Sequence, residues 1–265
     1  MGGPHSESDL RLLDDYRRSF GEAYEAVVRT VRQRGEFPTG RLAKSTVSIV
    51  EKLRRESIRL SQMQDIAGCR AVVMNVVKQE EFVATLKTCF PEASVIDRRD
   101  NPSYGYRAVH IIAKISGKPI EIQVRSALQH LWAEVSEKSS DVLDPTIKYG
   151  GGTDSWRNFL AKSSESVAFY EELEKKHSEA VASNEAADAA HEKFKKAIAE
   201  LPEHHVPDHE EQELRGKLEE ATGKMERREQ EDREMRRELI RLLNVNTGLL
   251  TEEVSRLEEL KRQKQ

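Results

Sequence analysis

Residues 105 to 126, GYRAVHIIAKISGKPIEIQVRS, alternate apolar and polar positions on both sides of a Gly-Lys-Pro turn, which predicts two paired antiparallel strands. On the first, Tyr106, Ala108 and His110 share one face, with Arg107 and Val109 on the other. On the second, Glu121, Gln123 and Arg125 share one face, with Ile122 and Val124 on the other. Upstream, Leu10, Leu13, Tyr16, Phe20, Tyr24, Val27, Val28 and Val31 recur at helical spacing over residues 8 to 34, and Gly35 with Pro38 ends that helix. A second helix, SIVEKLRRESIRL, turns Ile49, Leu53 and Leu60 inward. IAGCRAVVMNV lacks alternation and reads as a central strand buried on both faces. QEEFVATLKTCF reads as helix and ASVIDRRD as a short strand; SALQHLWAEVSEKSSDVL opens on a Ser cap and continues as helix. The order predicts an α/β fold, a mixed β-sheet flanked by helices, ending near Tyr149.

Beyond Tyr149 the pattern changes. Residues 155 to 200 are helix formers, and Pro202 and Pro207 bound a linker that contains EHHVPDH. From Asp208 to Arg241 acidic and basic residues interleave around sparse apolar positions, Leu214, Leu218, Met225, Met235 and Leu239. This reads as a long, solvated helix that becomes more apolar between Leu239 and Leu260, where it is expected to pack. Two domains are therefore expected: a core-bearing one over 8–150 and a helical extension, with coiled-coil character, over 151–265.

Composition narrows the function classes. The chain has 265 residues, 34% of them charged, with a formal net charge of -4, so no global basic field points to nucleic acid and any phosphate site must be local. Two cysteines, Cys69 and Cys89, exclude a disulfide framework or a multi-Cys zinc site and are expected reduced and buried. The start, MGGPHSESDL, lacks a basic-then-apolar signal, and no apolar run approaches the ~18 residues of a membrane span. A cytoplasmic protein with no membrane partner is the expectation.

Four clusters carry candidate chemistry. Arg41, Lys44, Ser48, Lys52, Arg54 and Arg55 gather cations at a helix N-terminus, with Lys44, Ser48 and Lys52 spaced to share one face; a polyphosphate finds side-chain charge and free N–H groups there. In QDIAGCR, Asp65 stands at the mouth of a strand and Arg70 follows the glycine. YGYRAVH offers an aromatic, Tyr106, beside an imidazole, His110. In EIQVRS a carboxylate, an amide and a guanidinium stand side by side, which is costly unless they are exposed or bind something. Asp65 and Glu121 on neighbouring strands form an oxygen pair suited to Mg²⁺, which prefers few protein ligands plus nucleotide phosphates. The assembly suits phosphoryl or pyrophosphoryl transfer, where positioning and charge neutralisation do most of the catalysis.

In combination, K-x3-SI-x2-KLRR, DIAGCR, GYRAVH and EIQVRSALQHLWAE resemble the RelA/SpoT-type synthetases in order and spacing, over roughly residues 10 to 150. The resemblance implies a nucleotidyltransferase-like synthetase domain that moves the β,γ-pyrophosphate of ATP to a 3′-hydroxyl. Arg41, Lys44, Ser48, Lys52, Arg55 and Arg70 would bind ATP. Asp65 and Glu121 would hold Mg²⁺, and Glu121 or Gln123 would orient the attacking hydroxyl. Tyr106 would stack on the acceptor base, with His110 and Arg125 beside it. The acceptor would be GTP or GDP, as in alarmone synthesis. The loop NPSYGY lacks the Lys and Asn usual before the tyrosine, and WAEVSEK has Ser136 and Glu137 where Glu-His is usual. These departures resemble the toxin branch, some of whose members pyrophosphorylate the CCA end of tRNA. Expected partners on the C-terminal helices are a second copy of the chain or a neutralising antitoxin. A non-catalytic nucleotide-sensing or adaptor module is the competing class, disfavoured by the retention of Asp65, Glu121 and the lysine face together.

Overall fold

The computed structural model describes residues 7–199 and 208–264. Its sheet has five strands: β1 (Thr39–Arg41), β2 (Ala67–Val73), β3 (Ser94–Asp97), β4 (Val109–Ile115) and β5 (Lys118–Ser126). They lie in the order β1-β2-β5-β4-β3, with β2 and β5 parallel and every other pair antiparallel. The sheet is therefore mixed and flanked by helices, as the pattern predicts. Period-two alternation assigns its faces: Ile120, Ile122 and Val124 of β5 are fully buried on one side, which leaves Glu121, Gln123 and Arg125 on the other. The apolar side packs under α2 (Gly21–Gln33), through Ala23, Val27, Val28 and Val31, and α4 (Val76–Cys89), through Phe82 and Leu86.

Local structure departs from the sequence reading at several places, among them the second helix, which ends at Glu56 with Ser57 left-handed, so that Leu60 falls in a separate 3-10 turn. The hairpin turn is Ser116-Gly117, both at positive φ, so Lys118 and Pro119 already belong to β5, paired with Ile115 and Lys114. Two residues at positive φ match the twist of the flanking strands, which is why this two-residue loop is favoured. The first helix is two, α1 (Glu7–Arg18) and α2, because the chain breaks at Ser19-Phe20 and inserts Phe20 fully into the core. Strand β1, three residues long, was not anticipated; it pairs antiparallel with β2. Finally, β2 alternates after all: Ala67, Cys69, Ala71 and Val73 are buried, while Gly68 and Arg70 face an open cleft. Val72, 36% exposed between buried Ala71 and Val73, made that run look apolar on both sides, because Arg70 is the one charged residue on its open face.

Helix α3 (Thr46–Glu56) is capped by Ser45, whose Oγ accepts from the Ser48 amide at 3.2 Å. Helix α5 (Ala127–Val142) begins with the expected cap: Ser126 and Gln129 bond reciprocally, at 3.3 and 3.1 Å, in a buried capping box. Two long helices follow, α6 (Asp154–Ala199) and α7 (Asp208–Gln263). The chain forms two compact units, Met1–Ala168 with Leu249–Gln265, and Phe169–Gly248. In the first, the apolar end of α7 packs as expected: Leu250 and Leu257 are buried, and Lys264 donates to the Val142 carbonyl at 2.6 Å. In the second, His177 lies 3.2 Å from Asp232. The linker EHHVPDH falls almost wholly outside the described residues, and no described helix is long and apolar enough to cross a membrane.

One glycine carries the turn before β4. Gly105 sits at φ +89°, and a Cβ there would meet Trp132 Cζ2 at 2.7 Å. Trp132 is itself fixed from α6, donating to the Leu160 carbonyl at 3.0 Å, and Ser164 donates to the Gly105 carbonyl at 2.7 Å. Gly117 has a similar φ, +75°, but open space around it. Gly117→Ala should therefore cost only the left-handed backbone penalty, about 1–2 kcal/mol. Gly105→Ala should cost about 1–3 kcal/mol more for overpacking. Equal costs in denaturant titrations would refute the packing role of Trp132.

Candidate active site

The polar face of the sheet forms the floor of a cleft of about 740 Å³ lined by Arg41, Lys44, Ser48, Lys52, Arg55, Asp65, Arg70, Tyr106, His110, Glu121, Gln123 and Arg125; of the basic cluster read from the sequence, Arg54 is not on that lining. Strand register does the gathering. Glu121 pairs with Gly68, Gln123 with both Arg70 and His110, and Arg41 with Gly68 across β1. Lys and Arg outnumber Asp and Glu along the lining, so a chain of net charge -4 carries a locally basic cleft.

On one side two ammonium groups converge on one carboxylate. Lys44 and Lys52 donate to Asp65 at 2.6 and 3.0 Å, and all three side chains are at most 20% exposed. Burial alone would push the Asp65 carboxyl up, but the hydrogen bond and charge of Lys44, then those of Lys52, outweigh it and hold the group below the usual carboxylate range. Lys44 lies before the N-cap of α3 rather than on the helix, so the shared helical face expected for Lys44, Ser48 and Lys52 holds only for the last two. The Lys44 backbone is fixed instead by its amide bond to the Ile66 carbonyl, 2.6 Å, and by Arg17, which donates to its carbonyl at 2.8 Å.

On the other side a closed ring of hydrogen bonds runs through Glu121, His110, Tyr106, Arg125 and Gln123. His110 Nδ1 lies 3.0 Å from Glu121 Oε1, and His110 Nε2 lies 2.9 Å from the Tyr106 hydroxyl. Arg125 Nη2 donates to that hydroxyl at 3.0 Å and to Gln123 Oε1 at 2.9 Å, and Gln123 Nε2 donates to Glu121 Oε2 at 2.8 Å. With the ring proton of His110 on Nδ1, every bond has one donor and one acceptor: the tyrosine hydroxyl accepts from Arg125 and donates to Nε2. Burial pushes the Glu121 carboxyl up, and His110 and then Gln123 more than offset this, so Glu121 is also held ionised despite the charge of Asp65 nearby. Tyr106 does not belong to β4, which starts at Val109; it reaches His110 from a turn closed by an isolated bridge to Ser103.

Arg125 is only 2% exposed, and its Nη1, like Arg70 Nε, is buried without a hydrogen-bond partner. Glu137 on α5 faces both guanidiniums, 3.4 Å from Arg70 and 3.7 Å from Arg125. Cys69 lies on the other face of β2, its thiol pushed up to about 12 by burial and then by Glu121, so it is no nucleophile; Cys89, expected buried, is half-buried, and both cysteines are free. Sequence reasoning missed Tyr104, 64% exposed, and Tyr149, 40% exposed, both on the cleft lining. Their only signal was the neighbouring glycines.

No group of three or more His, Cys, Asp or Glu residues able to hold a metal exists among the described residues. The donor set that does exist, two ionised carboxylates lining one cleft, fits a hard cation that takes its remaining ligands from phosphate and water. Asp65 and Glu121 would hold it.

The sequence model described as "Region found in RelA / SpoT proteins" matches residues 40–140. The uncharacterized proteins Rv1366 of Mycobacterium tuberculosis and Mb1401 of Mycobacterium bovis are 35% identical over 111 residues, 40% of this chain and 41% of each relative. The chain thus spans about two fifths of the length of the curated relatives it matches. Among solved structures, smu.1046c from Streptococcus mutans UA159 aligns with a TM-score of 0.44 at 26% identity, covering 63% of this chain and 93% of that one. The type VI effector Tas1, solved in complex with its immunity protein, aligns with a TM-score of 0.37 at 14% identity, covering 84% and 100%. The match over 40–140 takes in β2 to β5, the Asp65 and Glu121 carboxylates and Lys44 and Lys52 of the cleft, and it is this segment of the chain that is similar to RelA/SpoT proteins.

Proposed function

We propose that the chain is an ATP-dependent pyrophosphokinase whose acceptor is the 3′-hydroxyl of a guanosine nucleotide, GTP or GDP. The observation that carries this reading is the juxtaposition of two ionised carboxylates, Asp65 and Glu121, with a wall of cations in a single cleft. In this reading Lys44, Ser48, Lys52, Arg55, Arg41 and Arg70 take the nucleoside triphosphate. The acceptor 3′-oxygen bonds to the β-phosphorus as the bond from that phosphorus to the α-phosphate oxygen breaks, and AMP leaves. Glu121 and Gln123 orient the hydroxyl, and its proton passes to the Glu121 carboxylate. Mg²⁺ between Asp65 and Glu121 would supply charge neutralisation for the phosphates. Tyr106, seated against Arg125 and His110, offers its ring to the acceptor base.

A second acceptor, the 3′ end of a tRNA, is favoured by one observation. Tyr104 stands 64% exposed on the rim, near Arg98 and Lys148 on the same lining, and an aromatic with flanking cations suits a single strand that continues past the pocket. Incubation with γ-labelled ATP and, separately, GDP, GTP, AMP and deacylated tRNA distinguishes the two. Label on GDP or GTP supports the guanosine reading, and label on tRNA alone replaces it with the second. No transfer to any acceptor, with ATP still bound, would leave a nucleotide-sensing module.

Two variants test the assignments within the site. Asp65→Asn and Glu121→Gln keep shape and should each lower turnover by at least a hundredfold, about 3 kcal/mol of transition-state stabilisation, with circular dichroism unchanged. More than a tenth of wild-type turnover in either would sink the carboxylate roles. Tyr106→Ala should weaken the acceptor by about 1–3 kcal/mol, the worth of a stacked base, and ATP far less. Saturation curves for the two substrates, measured separately, show whether the subsites are instead reversed.

A further inference from the structure

Between α5 and α6 the chain crosses the rim of the cleft as a strap, residues 143–153, ordered by its own bonds. Asp144 Oδ1 accepts from both the amide and the hydroxyl of Thr146 at 2.8 Å, the Lys148 amide donates to Ser140 Oγ at 2.9 Å, and the Gly151 amide donates to the Thr146 carbonyl at 2.9 Å. Three consecutive glycines in a linker suggest slackness; here they answer to close packing. A Cβ on Gly151 would lie 2.0 Å from Thr146 Oγ1, and one on Gly150, which is at φ +82°, 2.4 Å from the Tyr104 ring. The strap therefore touches the acceptor-side loop at Gly150. One residue earlier it touches the opposite wall: the Arg55 guanidinium sits 4.1 Å from the centroid of the Tyr149 ring.

We infer that Tyr149 is a positioning residue for the polyphosphate of the donor nucleotide, acting through Arg55. A guanidinium seated by its face on an aromatic ring keeps its in-plane N–H donors for carboxylate or phosphate oxygens. Arg55 Nη2 donates to Glu56 at 3.0 Å, and the side chain stands three residues, about one helical turn, beyond Lys52 on the same lining. Without the ring, a long side chain with about 2 kcal/mol of rotamer entropy would have one acidic neighbour, which draws it along α3 and away from the cleft. With it, Arg55 is held on the cleft lining beside the other cations. The strap thus belongs to the donor site although it lies outside the segment 40–140 that matches the family. The inference deepens the proposed function, since it takes ATP as the donor, but the contact and its effect on a bare polyphosphate stand apart from the transfer reaction.

The test uses the full chain, with inorganic tripolyphosphate and ATP as probes in calorimetric titrations. Tyr149→Leu should bind both roughly five- to thirtyfold more weakly, the range expected for loss of a partly desolvated cation–π contact. Turnover at saturating ATP should change less than threefold, and Tyr149→Phe should restore affinity to within about twofold. Arg55→Lys, which keeps charge but loses the stacked fork, should weaken binding to a similar extent, and adding Tyr149→Leu to it should cost nothing further. Unchanged affinity in Tyr149→Leu, failure of Phe to rescue, or additive losses in the double variant would each overturn the inference. If Tyr149→Leu does not fold, unchanged binding by Arg55→Lys overturns it equally. Binding of tripolyphosphate by the wild-type chain without transfer to any acceptor would sink the proposed function and leave this inference standing. Absence of binding would sink both.

Discussion

The ring through Glu121, His110, Tyr106, Arg125 and Gln123 is the constraint on which the cleft depends. A carboxylate and a guanidinium that lie this deep under the surface are costly unless their lone pairs and protons are used, and around the ring each member uses its neighbour's, with Arg125 Nη1 the donor left over. Because the chain of bonds closes on itself, moving one member opens two bonds. Glu121 is therefore fixed not by its strand alone but by a ring that adds Tyr106 and His110, from the segment entering β4, to Gln123 and Arg125 of β5. A network of this kind costs stability if half satisfied and confers a single geometry if complete.

The ring exists because of register. Gln123 stands opposite His110 on β4 and opposite Arg70 on β2, so the antiparallel and parallel neighbours of β5 deliver an imidazole and a guanidinium to the same level. A slip by one residue would turn Ile120, Ile122 and Val124 into the cleft and the polar row into the core. Those three side chains are fully buried beneath α2 and α4, so the core enforces the register that the site needs. Packing and chemistry here are two faces of one strand.

That strand is also where the sequence was most readable. Strict alternation in EIQVRS separates a polar row from an apolar one without reference to any other residue, and the structure brings both rows where the alternation puts them. The lysine cluster was readable in content but not in placement: Lys44 reaches Asp65 from a loop pinned by Arg17, a bond across 27 positions that no local spacing encodes. The break at Ser19-Phe20 was hidden because helical periodicity continues through it. Strand β1 is too short to show a period. The strap was the hardest to see, since a glycine run reads as linker unless the side chains that crowd it, Thr146 and Tyr104, are already in place.

The pairing of Lys44 and Lys52 with Asp65 changes what ligand capture means in this cleft. The two ammonium groups are not waiting in solvent; each is already spoken for by a carboxylate at hydrogen-bond distance. A polyanion that draws them away uncovers a buried negative charge, and a cation that claims Asp65 displaces the two lysines into the cleft. Uptake of either ligand is therefore an exchange of partners rather than an addition, and each creates the vacancy the other fills. In the proposed function, donor and metal would thereby favour one another's arrival through a single aspartate, before any acceptor is present.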